Sequence, residues 1–336
     1  MTDLTFHDFY FPSADGTSSL HARILAPHEQ MGAAAAAALE RYAQHKGGAG
    51  EKNLQVKGVI QILHGMAEHI ERYDLFARYL AQHGYMVVGH DCVGHGKSCA
   101  PDSWGHMDPY QGKATLIKDV STLRHATEEL IAPKTPYFLF GHSFGSFLAR
   151  AYLAEEGTNL TGAIICGTGF MPTSKAAAGK MAARAVAKLK GATYKSSFLH
   201  NVADGAYAKA ISGAQNGFEW LSRNEQNVAD YIADDACGFM FSAGGYVVLC
   251  DLMEDVCDKN WPQKIPQNVA LLYIAGAEDP VGNCGKGVQE AFELAQSSGA
   301  HDVSLKIYPH MRHEILNEHD HEVVFQDVCN WLEARS

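Results

Sequence analysis

Tyr137-Phe138-Leu139-Phe140-Gly141-His142-Ser143-Phe144-Gly145-Ser146-Phe147-Leu148-Ala149-Arg150 joins an apolar run of strand character to a helical run through the pattern G-x-S-x-G. The pattern by itself is weak, because a chain with 32 glycines meets it by chance. Its place between a strand and a helix makes it informative. A serine on so tight a strand-to-helix turn is held in strained backbone, and the flanking glycines are required because side chains there would collide. The competing reading is an ordinary helix N-cap serine. The strand on one side and the helix on the other favour Ser143 as a nucleophile.

Outward from this turn the same alternation repeats. Residues 56–63 form a β-rich run ending at His64-Gly65, and 70–83 read as a helix with Leu75, Tyr79 and Leu80 on one side. Tyr85-Met86-Val87-Val88 is a second strand closed by Gly89, and 114–130 is a helix stopped before Pro133. Strands at 136–140 and 162–166 flank a helix at 145–156, and two more strands at 269–275 and 303–308 precede helices near 285–296 and 321–334. Strands alternating with helices imply crossover connections, hence an α/β fold with a mostly parallel sheet covered on both faces.

Three segments stand outside the alternation. Residues 1–27 read as two extended segments around the turn Ala14-Asp15-Gly16-Thr17, a hairpin-like start. Six alanines at 33–38 predict a short helix, followed by the flexible stretch Gly47-Gly48-Ala49-Gly50. Residues 28–54 together are expected to be a surface insertion without chemistry. Between the fourth and fifth strands of the series lie about a hundred residues without strand character. They predict a helical cap at 169–245 over the carboxyl edge of the sheet, where open α/β sheets bind ligands, on a core of 1–168 and 246–336.

Composition bounds the function. With 46% hydrophobic residues over 336 positions the chain is too apolar for disorder, and its net charge of −11 argues against nucleic acid as a partner. Eight cysteines form no Cys-x-x-Cys pair, and most sit in apolar runs such as Ala163-Ile164-Ile165-Cys166, as reduced core residues do. Met1-Thr2-Asp3-Leu4-Thr5-Phe6-His7 lacks the basic and apolar regions of a signal peptide, and no apolar stretch reaches the ~20 residues of a membrane span. The expected location is cytoplasmic.

A serine hydroxyl attacks only when a base takes its proton and a carboxylate orients that base. In this architecture the order is Ser, Asp, His, each just after a strand. Leu271-Leu272-Tyr273-Ile274-Ala275-Gly276-Ala277-Glu278-Asp279-Pro280 places Asp279 there, with Glu278 its nearest rival and Asp251, Asp255 and Asp258 off any strand end. Leu305-Lys306-Ile307-Tyr308-Pro309-His310-Met311-Arg312-His313-Glu314 offers two histidines, and His313 is favoured because His310 directly follows the strand and its Pro309 turn. The oxyanion of a tetrahedral intermediate needs two backbone N–H donors. Phe144 supplies one by position, and Met66, in the loop after the first parallel strand, is the candidate for the other.

His64-Gly65-Met66-Ala67-Glu68-His69-Ile70-Glu71-Arg72-Tyr73, Gly89-His90-Asp91-Cys92-Val93-Gly94-His95-Gly96-Lys97-Ser98 and Gly141-His142-Ser143-Phe144-Gly145 together resemble the α/β-hydrolase lysophospholipase and monoacylglycerol lipase group, which includes hydrolases similar to serine aminopeptidase S33. His313-Glu314-Ile315-Leu316-Asn317-Glu318 is similar to that group's segment around its catalytic histidine. The resemblance covers about 56–170 and 245–334; the presumed cap and the alanine-rich segment match nothing. It implies an eight-stranded sheet, a Ser-Asp-His triad on Ser143, Asp279 and His313, and hydrolysis of acyl esters without a cofactor. Phe144 stands where lipases of the group often have methionine, a departure that bears on pocket shape. The expected function is hydrolysis of carboxylic esters, monoacyl lipids above all, through an acyl-enzyme on Ser143.

Two rivals are a peptidase acting on short N-terminal peptides and a silent ligand-binding protein on the same scaffold. A peptidase needs an acid in the cap to hold the substrate's amino group; 171–200 has none, and Glu219, Glu225, Asp234 and Asp235 lie further on. Silence is disfavoured because every triad position is occupied.

Two motifs fail on inspection. Gly94-His95-Gly96-Lys97-Ser98 ends like a P-loop, but Asp91 stands where its first glycine belongs. His313-Glu314-Ile315-Leu316-Asn317 begins like H-E-x-x-H, but Asn317 replaces the second histidine, so no metal is expected beyond adventitious binding at His319 and His321. The segment 171–200 carries Lys175, Lys180, Arg184, Lys188, Lys190 and Lys195 with no acid, which leaves −17 on the rest of the chain. Lys180, Arg184 and Lys188 recur every four residues as one helical stripe, with Met181, Val186 and Leu189 on other faces. Such a helix is either a solvated face or a contact with an anionic lipid surface.

Overall fold

The computed structural model describes residues 4–44, 53–203 and 205–336. β1 (His7–Pro12) and β2 (Ser19–Leu25) pair antiparallel, and β2 runs antiparallel to β4 (Tyr85–His90). β3 (Gly58–Leu63), β4, β5 (Tyr137–His142), β6 (Gly162–Cys166), β7 (Ala270–Gly276) and β8 (Val303–Tyr308) are mutually parallel. The strand order is β1-β2-β4-β3-β5-β6-β7-β8. This is the α/β sheet with a hairpin start that the sequence predicts.

The helices follow in chain order. α1 (Glu29–Ala43), α2 (Asp74–Gln82), α3 (Gly112–Glu128) and α4 (Phe144–Glu156) precede β6. α5 (Thr173–Lys190), α6 (Ser197–Ala203), α7 (Gly205–Ala210), α8 (Glu225–Ala233) and α9 (Ala243–Val256) lie between β6 and β7. α10 (Lys286–Gln296) and α11 (His321–Glu333) complete the chain.

Because side chains alternate along a strand, the central strands feed two cores. Val59, Leu63, Leu139, Ile165, Leu271 and Tyr273 pack with α1, α3, α4 and α10, whereas Ile60, Ile62, Phe138, Phe140, Ile164 and Ile274 pack with α2 and α11. Gln61 is a polar residue on a fully covered strand. Its amide donates to the Val120 carbonyl at 3.1 Å and its Oε1 accepts from Tyr137 Oη at 2.7 Å, so its burial is satisfied.

Four expectations need correction. The buried side of α2 carries Phe76 and Leu80, while Leu75 is 53% exposed. Phe76 and Leu80 are four residues apart and share the face on the core, which turns Leu75, about 100° before Phe76, toward solvent. The alanine helix is not a surface insertion: Ala35, Ala36, Ala38 and Leu39 of α1 are buried against β1 and β2 in the larger core. Small side chains let the helix approach the sheet closely. The Gly47-Gly48-Ala49-Gly50 stretch lies outside the described residues.

The third correction concerns the basic stripe. α5 packs along α9, and α9 rests on α3 and α4. Lys180 turns toward α9, where it donates to Asp251 at 3.0 Å and pairs with Glu254, so it does not share the exposed surface of Arg184 and Lys188. Val186 packs against the core, and Met181 and Leu189 are exposed. α9 is capped by Ser242, whose Oγ accepts from the Gly245 N–H at 3.1 Å, so a boundary at 246 falls inside this helix. Among the described residues no helix is long and apolar enough to cross a membrane.

Candidate active site

β5 ends and α4 begins at Ser143, whose backbone sits at φ 53°, ψ −116°. That conformation lies outside the regions open to an L-residue without strain. It persists because the neighbours leave no alternative. A Cβ on Gly141 would lie 2.3 Å from the Gly145 carbonyl oxygen, and one on Gly145 would lie 2.0 Å from that of Leu63. The Ser143 N–H donates to the Cys166 carbonyl at 2.9 Å, fixing the turn to β6. The elbow thus abuts the end of β3, where the loop 64–69 departs, and Phe144 opens a 13-residue helix with its positive dipole end at the elbow.

Asp279 and His313 meet behind this turn. His313 Nδ1 lies 2.9 Å from Asp279 Oδ2, with the two side chains 2% and 0% exposed. The second carboxylate oxygen of Asp279 accepts from the Val281 N–H at 2.8 Å, so its orientation is set from both sides. The His313 ring packs against His142, the residue preceding Ser143, at 4.7 Å between centroids. Gly167 is required there: its φ is +60°, and a Cβ would stand 3.1 Å from His313 Cε1. The rivals are elsewhere. Glu278 pairs at the surface with Arg223 at 2.9 Å, and His310 is 83% exposed.

A buried ionic network missed in the sequence holds both loops. Glu68 accepts from the Gly65 N–H at 2.5 Å, from Tyr73 Oη at 2.7 Å and from Arg72 at 2.9 Å. Arg72 also forks onto Glu314 at 2.5 and 2.7 Å, and Glu314 accepts from Asn227 of α8 at 2.6 Å. One guanidinium therefore ties the loop carrying Met66 to the residue after His313 and to the segment between β6 and β7. Burial pushes the Glu68 carboxyl up, but the His142 hydrogen bond and the Arg72 charge outweigh it and hold it well below the usual carboxylate range. For Glu314 burial again opposes, and Arg72 wins, lowering it. His142 moves the other way: burial lowers it, and the Glu68 hydrogen bond and charge raise it. His142 Nδ1 lies 3.4 Å from Glu68 Oε1, and its Nε2 donates to the His313 carbonyl at 3.2 Å. The i,i+4 spacing of Glu68 and Arg72 is the one signal of this network that the sequence carries.

Arg72→Met is expected to destabilise the fold by about 3–5 kcal/mol, the cost of stranding buried carboxylates. The sign with pH follows. In the native protein both carboxyls are depressed, so their contribution is present at neutral pH and is lost as pH falls through the folded values. In the variant burial raises them, and acid relieves that penalty. Denaturant unfolding at several pH values should show the gap widest near neutrality and closing on acidification; a pH-independent gap contradicts the assignment.

The failed motifs have structural roles. Asp91, buried after β4, accepts from the Ile70 N–H at 2.8 Å and the Lys97 N–H at 2.9 Å and meets His21 at 2.8 Å. A Cβ on Gly96 would lie 2.3 Å from its carboxylate, so this glycine serves the aspartate. The Trp220 ring, absent from the sequence reading, stands 5.2 Å from that of His313 and also packs against Tyr207. Phe241 meets Phe144 edge-on at 6.0 Å, and Phe239 lies 5.4 Å from His95, giving the elbow an aromatic wall.

Comparison with known proteins gives the same outline. A family model described as serine aminopeptidase, S33, matches residues 55–320. A monoglyceride lipase of Rattus norvegicus is 25% identical over 289 residues, covering 83% of each chain. A monoacylglycerol lipase of Mycolicibacterium smegmatis is 27% identical over 285 residues, covering 82% of this chain and 88% of the relative. The crystal structure of a thermostable carboxyl esterase from Bacillus coagulans superposes with a TM-score of 0.82 at 29% identity over 99% of both chains.

Proposed function

The chain belongs to the serine aminopeptidase S33 family and is a carboxylic ester hydrolase of the α/β-hydrolase fold, and from that premise we propose that it cleaves monoacyl lipids, monoacylglycerol or lysophospholipid, through an acyl-enzyme on Ser143. Ser143 attacks the ester carbonyl while His313 takes its proton, and Asp279 holds the imidazole and stabilises its charged form. The N–H groups of Met66 and Phe144 hold the oxyanion. His313 then returns the proton to the leaving alcohol, and water repeats the sequence on the acyl-enzyme. The observation that carries this reading is the buried 2.9 Å pair of His313 and Asp279 behind a serine whose backbone is strained.

The partly exposed rings of Trp220 beside His313 and Phe239 beside His95 supply apolar surface suited to an acyl chain, backed by the buried Phe144 and Phe241, and the lipase relatives agree with it. The peptidase reading loses support. Asp234 is engaged by His69 at 2.8 Å, and Glu219 accepts from three successive backbone N–H groups at 215–217. Glu225 and Asp235 are exposed. Met181 and Leu189, exposed on α5 with Arg184, Lys188 and Lys190, and Phe198 and Val202, exposed on α6, support contact with an anionic lipid surface.

A panel of glycerol and phosphoglycerol monoesters of increasing acyl length, offered dissolved and on anionic or zwitterionic vesicles, tests substrate class and surface together. The expected result is kcat/KM rising with chain length and higher turnover on anionic vesicles. A preference for acetyl esters rejects the lipid reading, and equal turnover on both vesicles rejects the surface.

A further inference from the structure

His69, Asp234 and Cys237 bring three chemically different donor atoms to within 4.8 Å of one another, beside the site described above and outside its proposed chemistry. We propose that these three side chains form a binding site for a divalent transition metal ion of the zinc type, joining the loop after β3 to the segment between α8 and α9. Imidazole nitrogen, thiolate sulfur and carboxylate oxygen are the donors zinc takes. Hard cations such as magnesium and calcium want oxygen alone.

The geometry needs a small rearrangement. His69 Nε2 and Asp234 Oδ2 are 2.8 Å apart. Tetrahedral zinc with bonds of about 2.0–2.3 Å sets its donors about 3.3–3.8 Å apart, so this hydrogen-bonded pair opens by about 0.5 Å while the widest separation, within 4.8 Å, closes by about 1 Å. The Asp234 ligand is held from behind. The other imidazole nitrogen of His69 lies 3.9 Å from Glu71 Oε2, beyond hydrogen-bond distance, so this carboxylate would have to move closer to orient the ring. The Asp234 Oδ1 accepts from the Ala236 N–H at 2.9 Å, which leaves Oδ2 for the ion.

Access fits as well. The Asp234 side chain is 38% exposed while His69 and Cys237 are buried, so an ion enters past the carboxylate and keeps a fourth position for water. Burial pushes the Cys237 thiol up, with Arg72 opposing and Glu68, Asp234 and Glu314 adding to the rise, so the ion has to displace a firmly held proton to take the sulfur as thiolate. Binding replaces the Cys237 thiol proton, which passes to solvent, breaks the His69–Asp234 hydrogen bond and shifts the imidazole proton from Nε2 to Nδ1, and forms the metal–sulfur bond without oxidation or reduction. The Ala67 carbonyl already accepts from Gly238 N–H and Tyr231 Oη, each at 2.9 Å, so the ion would reinforce an existing junction between the Met66 loop and this segment. No spacing motif announces the site, because His69 and Asp234 are 165 residues apart.

Titrating the metal-free full-length chain with Co2+ and following the thiolate-to-cobalt charge-transfer absorption tests this directly, with Zn2+ added in competition. The expected result is one equivalent of Co2+ with a thiolate band that Zn2+ abolishes, and a Zn2+-dependent rise in melting temperature. Cys237→Ser should lose the band, while Cys284→Ala, which removes the exposed thiol, should keep it. Asp234→Asn retains the oxygen that caps Ala236 and so preserves the fold; its Zn2+ affinity should fall by at least the ~10–100-fold that losing an outer-sphere partner costs. A missing band, a band that survives Cys237→Ser, or an unchanged affinity in Asp234→Asn overturns the site.

Discussion

Ser143→Ala is expected to lower kcat for ester hydrolysis by about 10⁶-fold, the scale on which a triad nucleophile is worth its whole catalytic unit. The remaining acceleration comes from substrate binding and the oxyanion donors, which the substitution leaves in place. Folding should be undisturbed, because the Ser143 N–H keeps its bond to the Cys166 carbonyl and alanine occupies the same space. Ser143→Gly separates chemistry from strain. It removes the hydroxyl equally, but glycine accepts φ 53°, ψ −116° without penalty, so the variant should gain up to about 1–3 kcal/mol in denaturant unfolding while remaining as inactive as the alanine form. Residual turnover above about one part in a thousand in either variant removes Ser143 from the nucleophile's role, since background binding effects do not reach that level. A stability equal to the parent's in Ser143→Gly means the elbow is not strained.

The elbow was legible because its requirement is local. Two glycines flank a serine between strand and helix; Gly141 is forced by Gly145 four residues on, while the contact that forces Gly145, on Leu63 at the end of β3, is long-range and is implied only by the fold. Asp279 and His313 were legible through order along the chain, since parallel strands deliver their carboxyl ends to one edge. What escaped was long-range. Arg72 contacts Glu314 across 242 residues and Asn227 across 155, and no periodicity records such a meeting. Lys180 has stripe spacing with Arg184 and Lys188, yet the acids that draw it inward, Asp251 and Glu254, sit on another helix about seventy residues on. The alanine helix misled for a different reason. Methyl side chains carry little hydrophobic signal, so a helix that packs closely through its backbone reads as a spacer.

Asp279→Asn is expected to lower kcat by about 10⁴-fold, and the cause is a misplaced proton rather than a lost charge alone. In the native pair one carboxylate oxygen accepts from the Val281 N–H at 2.8 Å and the other faces His313 Nδ1 at 2.9 Å. That arrangement keeps the neutral imidazole protonated on Nδ1, leaving Nε2 free to take the serine proton. An asparagine in the same pose keeps its oxygen toward the Val281 N–H, because turning it would set two donors against each other. Its NH2 group then faces Nδ1, which must accept. The ring proton moves to Nε2, and the base can no longer act on Ser143. Asp279→Ala removes the carboxylate without imposing the wrong tautomer, so it should be no worse than Asp279→Asn despite the larger deletion. Glu278→Gln is the control for the neighbouring carboxylate. Its partners are Arg223 and His310 at the surface, and screened pairs of that kind carry little energy, so activity should stay within about twofold. Steady-state kinetics on one ester with all three variants decides the matter. Equal losses in Glu278→Gln and Asp279→Asn would place the orienting carboxylate one residue upstream, and an Asp279→Ala enzyme much slower than Asp279→Asn would show that charge, not tautomer, is what Asp279 contributes.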